Sequence, residues 1–165
     1  MKTIERDELV SILNYNQDTG VFTWKKPYGT RVKAGSVAGT IDANGYVRIK
    51  IRGSKYQAHR LAMLYVYGVL PTSDTDHINR TKSDNRISNL RQATRSENKR
   101  NAPAYKNSKS GIKGVHQREN GKWRAAYWDG SRNITLGSFD CLEDAKRSYQ
   151  LFAPEPVKQV QEALL

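Results

Sequence analysis

The chain has 165 residues, with 28 Lys and Arg against 16 Asp and Glu, which gives a formal net charge of +12 at pH 7 and a sequence pI near 9.9. A charge this large favours nucleic acid as the partner, against the alternative of a surface that is basic only for solubility. The single cysteine, Cys141, excludes an internal disulfide and a Cys-rich zinc cluster, and no apolar run approaches the ~20 residues of a membrane span.

Size and charge distribution favour two compact modules over one. With 37% hydrophobic residues, each core would be modest. The basic charge is concentrated in residues 76–133, which hold fourteen basic and five acidic side chains, or +9 of the total. The N-terminus, Met-Lys-Thr-Ile-Glu-Arg-Asp, lacks a signal-peptide core, so we expect a protein that works in the cytoplasm.

The first predicted elements are a helix and a strand. Apolar residues recur with helical spacing over Glu5–Leu13, which predicts an amphipathic helix. The turn Asp18-Thr19-Gly20 then leads into the strand-like run Val21–Trp24. We interpret residues 1–45 as an N-terminal scaffold segment and assign them no chemistry.

The next run has the pattern of a hairpin followed by a helix. Alternation over Tyr46–Ile51 and a return run at Tyr56–Ala58 predict two antiparallel strands. From His59 the apolar period becomes helical, and the pattern is terminated by Gly68 and Pro71.

The most informative segment follows. A short strand with Asp76-His77-Ile78, a long polar loop, a second strand Leu90–Ala93 and a helix would form a β-β-α unit. Thr94-Arg95-Ser96-Glu97 has the spacing of a capping box, which predicts that the helix starts at Arg95. Asn98 would then lie in the first turns of this helix, on a side that faces back toward the two strands.

Asp76, His77 and Asn98 are the residue types that a one-metal nuclease needs. An imidazole can take a proton from water, while a carboxylate and a carboxamide oxygen can hold a hard divalent cation against a phosphate. Any one of these residues alone is more often a cap or a turn former. Their joint spacing, with Asn98 twenty-one residues after His77, favours the functional interpretation.

These residues resemble the HNH nuclease family, in the phage- and intron-encoded branch whose last motif residue is asparagine. The resemblance covers residues 46–101 and implies a ββα-metal fold. It also implies a protein that is encoded by a phage or mobile element and is active in the cytoplasm of a bacterial host cell. The motifs that carry it are His59-Arg60, Asp76-His77-Ile78-Asn79, Asp84-Asn85-Arg86, Asn89-Leu90-Arg91, Thr94 and Glu97-Asn98.

The resemblance also implies roles at the site. His77 would be the general base, while Asp76 and Asn98 would bind the metal, one Mg(II) or Mn(II) per active site. Asn89 would be the middle asparagine of the motif. It would brace the loop between the two strands and belong to the catalytic set. Cleavage would leave 5′-phosphate and 3′-hydroxyl ends.

Five further residues in or near the motif have less specific expected roles. Arg91, with Arg60 as the alternative, is the candidate for stabilising transition-state charge. His59 is expected to position the site from behind. Asn79 and Asn85 are left as turn residues or DNA contacts.

The composition changes after Asn101. Residues 102–110, followed by Gly111, contain Pro, Ser and Lys without periodicity, which is typical of a linker lying along a phosphate backbone. The following residues, 111–152, predict a small module of three strands and a helix: Lys113–Arg118, Lys122–Asp129, Asn133–Phe139 and a helix from Leu142.

This second module is similar to the Apetala/ethylene-response-factor DNA-binding domain of plants, which also occurs fused to phage HNH enzymes. In that family the sheet enters the major groove, so the resemblance implies double-stranded DNA as the partner. The matching motifs are Gly114-Val115, Gln117-Arg118, Gly121-Lys122-Trp123, Leu136-Gly137-Ser138-Phe139 and Glu143-Asp144-Ala145, through Tyr149.

Strand alternation divides the side chains of this module between the helix and the DNA. Those directed to the helix would be Val115, Trp123, Ala125, Tyr127, Ile134 and Leu136. The candidate DNA-binding residues are Lys109, Lys113, His116, Arg118, Lys122, Arg124, Trp128 and Arg132, with Thr135 on the same face. Arg118 is the candidate for bidentate contact with guanine. The plant base-reading pattern cannot be carried over, because the chain departs from it at His116, Asn120, Trp128, Asn133 and Thr135.

The predicted fold class is α+β, with a ββα-metal HNH nuclease domain followed by a small DNA-binding domain made of a three-stranded antiparallel sheet plus a helix. The favoured function is a DNA endonuclease of the homing or mobile type. A noncatalytic sequence-specific DNA-binding regulator is the alternative, and an RNA-directed protein fits less well because A-form RNA has a narrow major groove. Nicking or double-strand cutting, and monomer or homodimer, are left open. A tail, residues 153–165, has the pattern of a short helix.

Overall fold

The computed structural model of the chain describes residues 4–153, which divide into two compact units, residues 4–94 and 95–153. The helix predicted in the tail lies outside the described residues. Within residues 4–153, no helix is long and apolar enough to cross a membrane.

The first unit contains two α-helices, a short 3-10 helix (Ile87–Asn89) and seven short strands arranged in antiparallel sheets. The strands pair as β1-β2, β3-β4-β5 and β6-β7. In chain order the elements are α1 (Arg6–Ile12), β1 (Leu13–Asn16), β2 (Val21–Trp24), β3 (Thr40–Ile41), β4 (Val47–Ile51), β5 (Ser54–Gln57), α2 (Ala58–Tyr67), β6 (Asp74–His77) and β7 (Leu90–Ala93).

The predicted N-terminal helix ends earlier than expected, because Leu13 starts a strand that the sequence pattern did not reveal. Leu13 has extended dihedral angles and pairs with Trp24, so α1 passes into β1 without a loop. Burial alternates along the four residues of β1, which places Leu13 and Tyr15 in the core. The segment assigned only to scaffold therefore forms a hairpin with one fully buried face.

The predicted hairpin and helix that follow are confirmed. β4 pairs with β5, and α2 ends where Gly68 takes a left-handed conformation. Leu61 and Ala62 of α2 pack with Ile49 of β4 in the main core, and all three are essentially inaccessible to solvent. This core supports the segment that carries the candidate site.

The predicted β-β pair is also confirmed, with a shift of its first strand. β6 ends at His77 instead of Ile78, and it pairs with β7 so that Asp76 lies opposite Arg91 and His77 opposite Leu90. The predicted helix α3 (Arg95–Asn101) starts at Arg95, as expected, and belongs to the second unit.

The rest of the second unit is a three-stranded antiparallel sheet covered by one helix, as predicted. The strands β8 (Val115–Gln117), β9 (Trp123–Trp128) and β10 (Asn133–Phe139) have the order β10-β9-β8, and α4 (Leu142–Phe152) follows. Val115, Ala125 and Ala145 form the buried centre of this core.

Two details of this unit differ from the expectation. β8 is shorter than predicted, so Lys113 and Arg118 flank the strand instead of lying in it. Ser110, placed in the linker, is buried, with its hydroxyl 2.9 Å from the carbonyl oxygen of Ile112 and 2.5 Å from that of Val115. The end of the predicted linker therefore takes part in the packing of this unit.

We expect Gly114→Ala to destabilise the chain much more than Gly121→Ala. Both glycines have left-handed φ angles, +82° and +81°, but an added Cβ at Gly114 would collide with the Ala126 carbonyl oxygen and the Tyr149 ring, whereas at Gly121 nothing lies within 4 Å. Backbone strain alone should cost Gly121→Ala about 1 kcal/mol of unfolding free energy, and the collision should raise the cost at Gly114 to about 3 kcal/mol. Urea denaturation of the full chain measures both, and equal costs would contradict this packing.

Candidate active site

Asp76 is held in place by a buried arginine on the neighbouring strand. The Arg91 side chain is 5% exposed and donates from Nε and Nη2 to Oδ2 of Asp76, at 3.1 and 2.8 Å. Because the two residues are cross-strand partners, the pairing of β6 with β7 sets this contact. Two charge-assisted bonds on one oxygen fix the direction of the carboxylate.

His77, the next residue along β6, is buried and meets a side chain from the loop. Its Nε2 lies 3.2 Å from Oδ1 of Asn85, which is itself 2% exposed. The amide orientation of Asn85 follows from its other bond, because Nδ2 donates to the carbonyl oxygen of Ser83 at 3.2 Å. Oδ1 therefore faces His77 as an acceptor, so Nε2 carries the proton and Nδ1 the lone pair.

The surroundings of His77 keep its ring neutral. Burial lowers the pKa of His77 below its ordinary value of 6.5, while the hydrogen bond to Asn85 and the charges of Asp76 and Asp84 oppose this shift. A neutral imidazole is the form that can accept a proton, so this environment suits a general base at neutral pH.

Asn89 closes the loop that connects the two strands. Its Oδ1 accepts the backbone N–H of Asn79 at 2.9 Å, and its Nδ2 donates to the carbonyl oxygen of Asp84 at 2.8 Å. The carboxylate of Asp84 in turn accepts two bonds from Arg86, which hold the pKa of Asp84 at about 2. The Asn89 side chain therefore ties together two parts of this loop, and its assignment as a catalytic residue stays a prediction.

His59, in the first turn of α2, packs against His77. The two rings meet edge to face with centroids 5.0 Å apart, and the Tyr46 ring lies 5.4 Å from that of His59. His59 is 4% exposed, and its Nδ1 has no hydrogen-bond partner among the described residues. Burial lowers the pKa of His59 to about 3, with the charge of His77 as the next cause. The His59 ring is therefore uncharged at neutral pH and packs against the His77 imidazole.

The candidate metal ligand on β6 is the Asp76 carboxylate. Among residues 4–153, no group of three or more His, Cys, Asp and Glu side chains could hold a metal ion. A carboxylate oxygen is the type of donor that hard divalent cations accept, so Asp76 could serve as one ligand. Asn98, partly buried on α3, belongs to the second unit, and its place beside Asp76 stays a prediction.

The outer face of the second unit's sheet carries part of the predicted DNA-binding set. His116 pairs with Arg124 across β8 and β9, and Arg124 donates from Nη2 to Oγ1 of Thr135 at 2.8 Å. Trp128, four residues after Arg124 on the same face of β9, is 40% exposed. This face therefore combines basic, polar and aromatic side chains.

The other predicted DNA-binding residues lie in turns or before the sheet. Lys122 pairs with Asp140 at 2.9 Å, Arg132 lies 3.7 Å from Asp129, and Arg118 is exposed at the β8–β9 turn. Lys109 is exposed ahead of β8, while the Nζ of Lys113 lies 3.4 Å from the carbonyl oxygen of Ala102.

The sequence did not reveal the position of Asn85. It was expected to be a turn residue or a DNA contact, but its side chain is buried against His77, the candidate base. Local pattern gives no signal for such a contact, because it depends on how the loop folds back. The Asp84-Asn85-Arg86 motif within the HNH resemblance was the one available indication.

Residues 56–100 match the sequence model of a family described as HNH endonuclease, so the chain carries an HNH endonuclease domain in this region. Among curated proteins, none matches the chain. A solved structure described as DNA binding and cleavage by the HNH homing endonuclease I-HmuI is similar over 61% of this chain, with 24% identity and a TM-score of 0.45. The similar region spans 57% of that protein.

We expect the buried, neutral His59 to make folding stability depend on pH. Between its folded pKa of about 3 and the ordinary value of 6.5, the unfolded chain binds more protons, so stability falls as pH drops through this window. The slope from one such group approaches about 1.4 kcal/mol per pH unit. Urea denaturation from pH 7 to pH 5 should show a shallower dependence for His59→Gln than for the wild type. The exposed His116, changed to Gln, is the control and should keep the wild-type slope; equal slopes in all three proteins would contradict the assignment.

Proposed function

We propose that this chain is a metal-dependent DNA endonuclease of the homing or mobile type, which hydrolyses phosphodiester bonds of double-stranded DNA to 5′-phosphate and 3′-hydroxyl ends. The observation that carries the proposal is the pair formed by Asp76 and His77 on β6. The carboxylate is fixed by Arg91, and the imidazole is neutral and oriented by Asn85. Such a pair, inside a region that matches the HNH endonuclease family, supports hydrolysis of a phosphodiester.

His77 acts as the general base in this proposal. With the proton on Nε2 and the acceptor Asn85 behind it, Nδ1 receives the proton of the attacking water. Burial between the His59 ring and the loop restricts the imidazole to one orientation, which lowers the entropy cost of aligning base and water.

Asp76 and Asn98 would hold the cation, one Mg(II) or Mn(II) per site. When bound, the cation supplies Lewis-acid stabilisation of the charge on the phosphate and on the departing 3′ oxygen. Arg91 orients Asp76 through the two bonds to Oδ2, so we assign it a positioning role instead of direct contact with the phosphate. The alternative arginine, Arg60, donates to the carbonyl oxygen of Pro71 at 2.9 Å, which engages it in the scaffold.

The second unit supplies DNA affinity in this proposal. Its sheet exposes His116, Arg124 and Trp128 on one face, where a basic and aromatic surface can meet phosphates and base edges. The resemblance to the Apetala/ethylene-response-factor domain supports docking of this face in the major groove.

We expect His77→Ala to abolish Mg²⁺-dependent cleavage of supercoiled plasmid while DNA binding persists. Loss of a general base should lower the rate about 10²–10⁴-fold. Asp76→Ala should also be inactive, whereas Asp74→Ala, two residues away on the same strand, serves as the matched control and should cleave at nearly the wild-type rate. A noncatalytic regulator would instead bind DNA in every variant and cleave in none, which would reject the proposal.

We expect Arg118 and Lys109 to differ in how they contribute to DNA binding. If Arg118 contacts guanine, Arg118→Ala should cost about 1–3 kcal/mol at one base position and relax specificity there. Lys109→Ala should weaken binding to all sequences alike and flatten the salt dependence. Binding to a randomised duplex library at several salt concentrations measures both effects. A uniform loss from Arg118→Ala would contradict base contact by this residue.

A further inference from the structure

We propose that the N-terminal hairpin β1–β2 is a positioning element of the active site, in which the Tyr15 hydroxyl holds the loop residue Asn85 that orients His77. This inference rests on the proposed function for the role of His77. It assigns a positioning role to residues 13–24, which lie outside the region matched by the HNH endonuclease family.

The central contact is a buried hydrogen bond across a long stretch of sequence. The Tyr15 hydroxyl donates to the backbone carbonyl oxygen of Asn85 at 2.6 Å, between residues seventy positions apart. Burial raises the pKa of Tyr15, with the charges of Tyr67 and Asp84 as smaller causes, so the hydroxyl stays protonated and available as a donor. Without this donor, burial of the Asn85 carbonyl oxygen would destabilise the folded chain, because its lost hydrogen bond to water would not be replaced.

Aromatic packing fixes the hydroxyl in position. The Tyr15 ring stacks on Phe22 of the partner strand with centroids 4.6 Å apart, and Tyr65 of α2 meets it edge-on at 5.7 Å. A ring held on two sides has little freedom, so its hydroxyl is a rigid support for the carbonyl it bonds.

The turn of the same hairpin also contacts the backbone of residues 85–87. Gly20 has a φ of +71°, and a Cβ added there would collide with the carbonyl carbon of Asn85 and the amide nitrogen of Arg86. The amide of Ile87 donates to the carbonyl oxygen of Gln17 at 3.2 Å. The hairpin therefore contacts three consecutive loop residues, 85–87, through a side chain, a close backbone approach and a backbone hydrogen bond.

These contacts reach the imidazole through a single residue. Asn85 receives the hydroxyl on its carbonyl and presents its own Oδ1 to Nε2 of His77 at 3.2 Å. Because the backbone and side chain of Asn85 are both fixed, the orientation of the imidazole depends on the hairpin. Tyr15 is thus a positioning residue that acts through Asn85.

A double-mutant cycle on the full chain tests this coupling. Single-turnover cleavage of plasmid at saturating protein should fall about tenfold in Tyr15→Phe and about a hundredfold in Asn85→Ala, while the DNA dissociation constant stays within about twofold. In the Asn85→Ala background, Tyr15→Phe should have no further effect, because the side chain that transmits the contact is gone. Tyr65→Phe removes a hydroxyl from the same aromatic cluster but keeps the ring that packs on Tyr15, so it is the matched control and should cleave like the wild type.

Two results would overturn the inference. One is a wild-type rate in Tyr15→Phe, and the other is an equal loss from Tyr15→Phe in both backgrounds, which would mean that Tyr15 acts independently of Asn85. All rates are taken below the lowest thermal midpoint of the set, so folded proteins are compared.

The ring tautomer of His77 gives a second measurement that does not require cleavage. Nitrogen-15 NMR at neutral pH should find the proton on Nε2 in the wild type and in Tyr65→Phe, and a mixture of tautomers in Asn85→Ala and, to a smaller extent, Tyr15→Phe. An unchanged His77 signal in Tyr15→Phe would reject the positioning role even if the chain proved not to be a nuclease. A shifted signal in a chain that cleaves no DNA would instead reject the proposed function alone.

Discussion

The hydrogen bond between His77 and Asn85 is the interaction on which the proposed chemistry depends. A histidine in this position could expose either nitrogen, and only one choice gives a base with a defined direction. The bond from Asn85 to Ser83 settles the orientation of the amide, and the amide settles the tautomer. The buried hydrogen bonds of the loop thus favour the tautomer of His77 that has its proton on Nε2.

Arginines and burial determine the charge around the site. Arg91 fixes the direction of the Asp76 carboxylate, and the hydrogen bonds from Arg86 lower the pKa of Asp84. Burial disfavours a positive charge on His77 and His59. Elsewhere the excess of basic residues suits a polyanionic partner. The site therefore presents one fixed carboxylate and one neutral base within a strongly basic chain, which suits the proposed hydrolysis of phosphodiesters.

Much of the fold could be predicted from the sequence, because its signals are local. The hairpin β4–β5, the start of α3 at Arg95 and the three-stranded sheet with α4 follow from alternation, turn residues and caps. β1 could not be predicted, because Leu13 continues the apolar spacing of α1 and no glycine or proline separates the two elements. The β8 strand was overestimated at both ends, because alternating polarity does not reveal where the pairing with β9 ends.

The site could be predicted only where residue type and spacing carry the information. Asp76, His77 and Asn89 stand in a recognisable order, and the structure brings them onto one β-hairpin and its loop. The contacts of Asn85 and Tyr15 join segments seventy residues apart, so they emerge only from the folded chain.

Anomalous diffraction from Mn(II) in crystals of the full chain bound to a DNA duplex tests most directly whether Asp76 and His77 act on one phosphate. We predict one Mn(II) coordinated by the Asp76 carboxylate and bound to a DNA phosphate, with Nδ1 of His77 directed at that phosphate. An ion bound away from Asp76, or an imidazole that presents Nε2 to the phosphate, would contradict it.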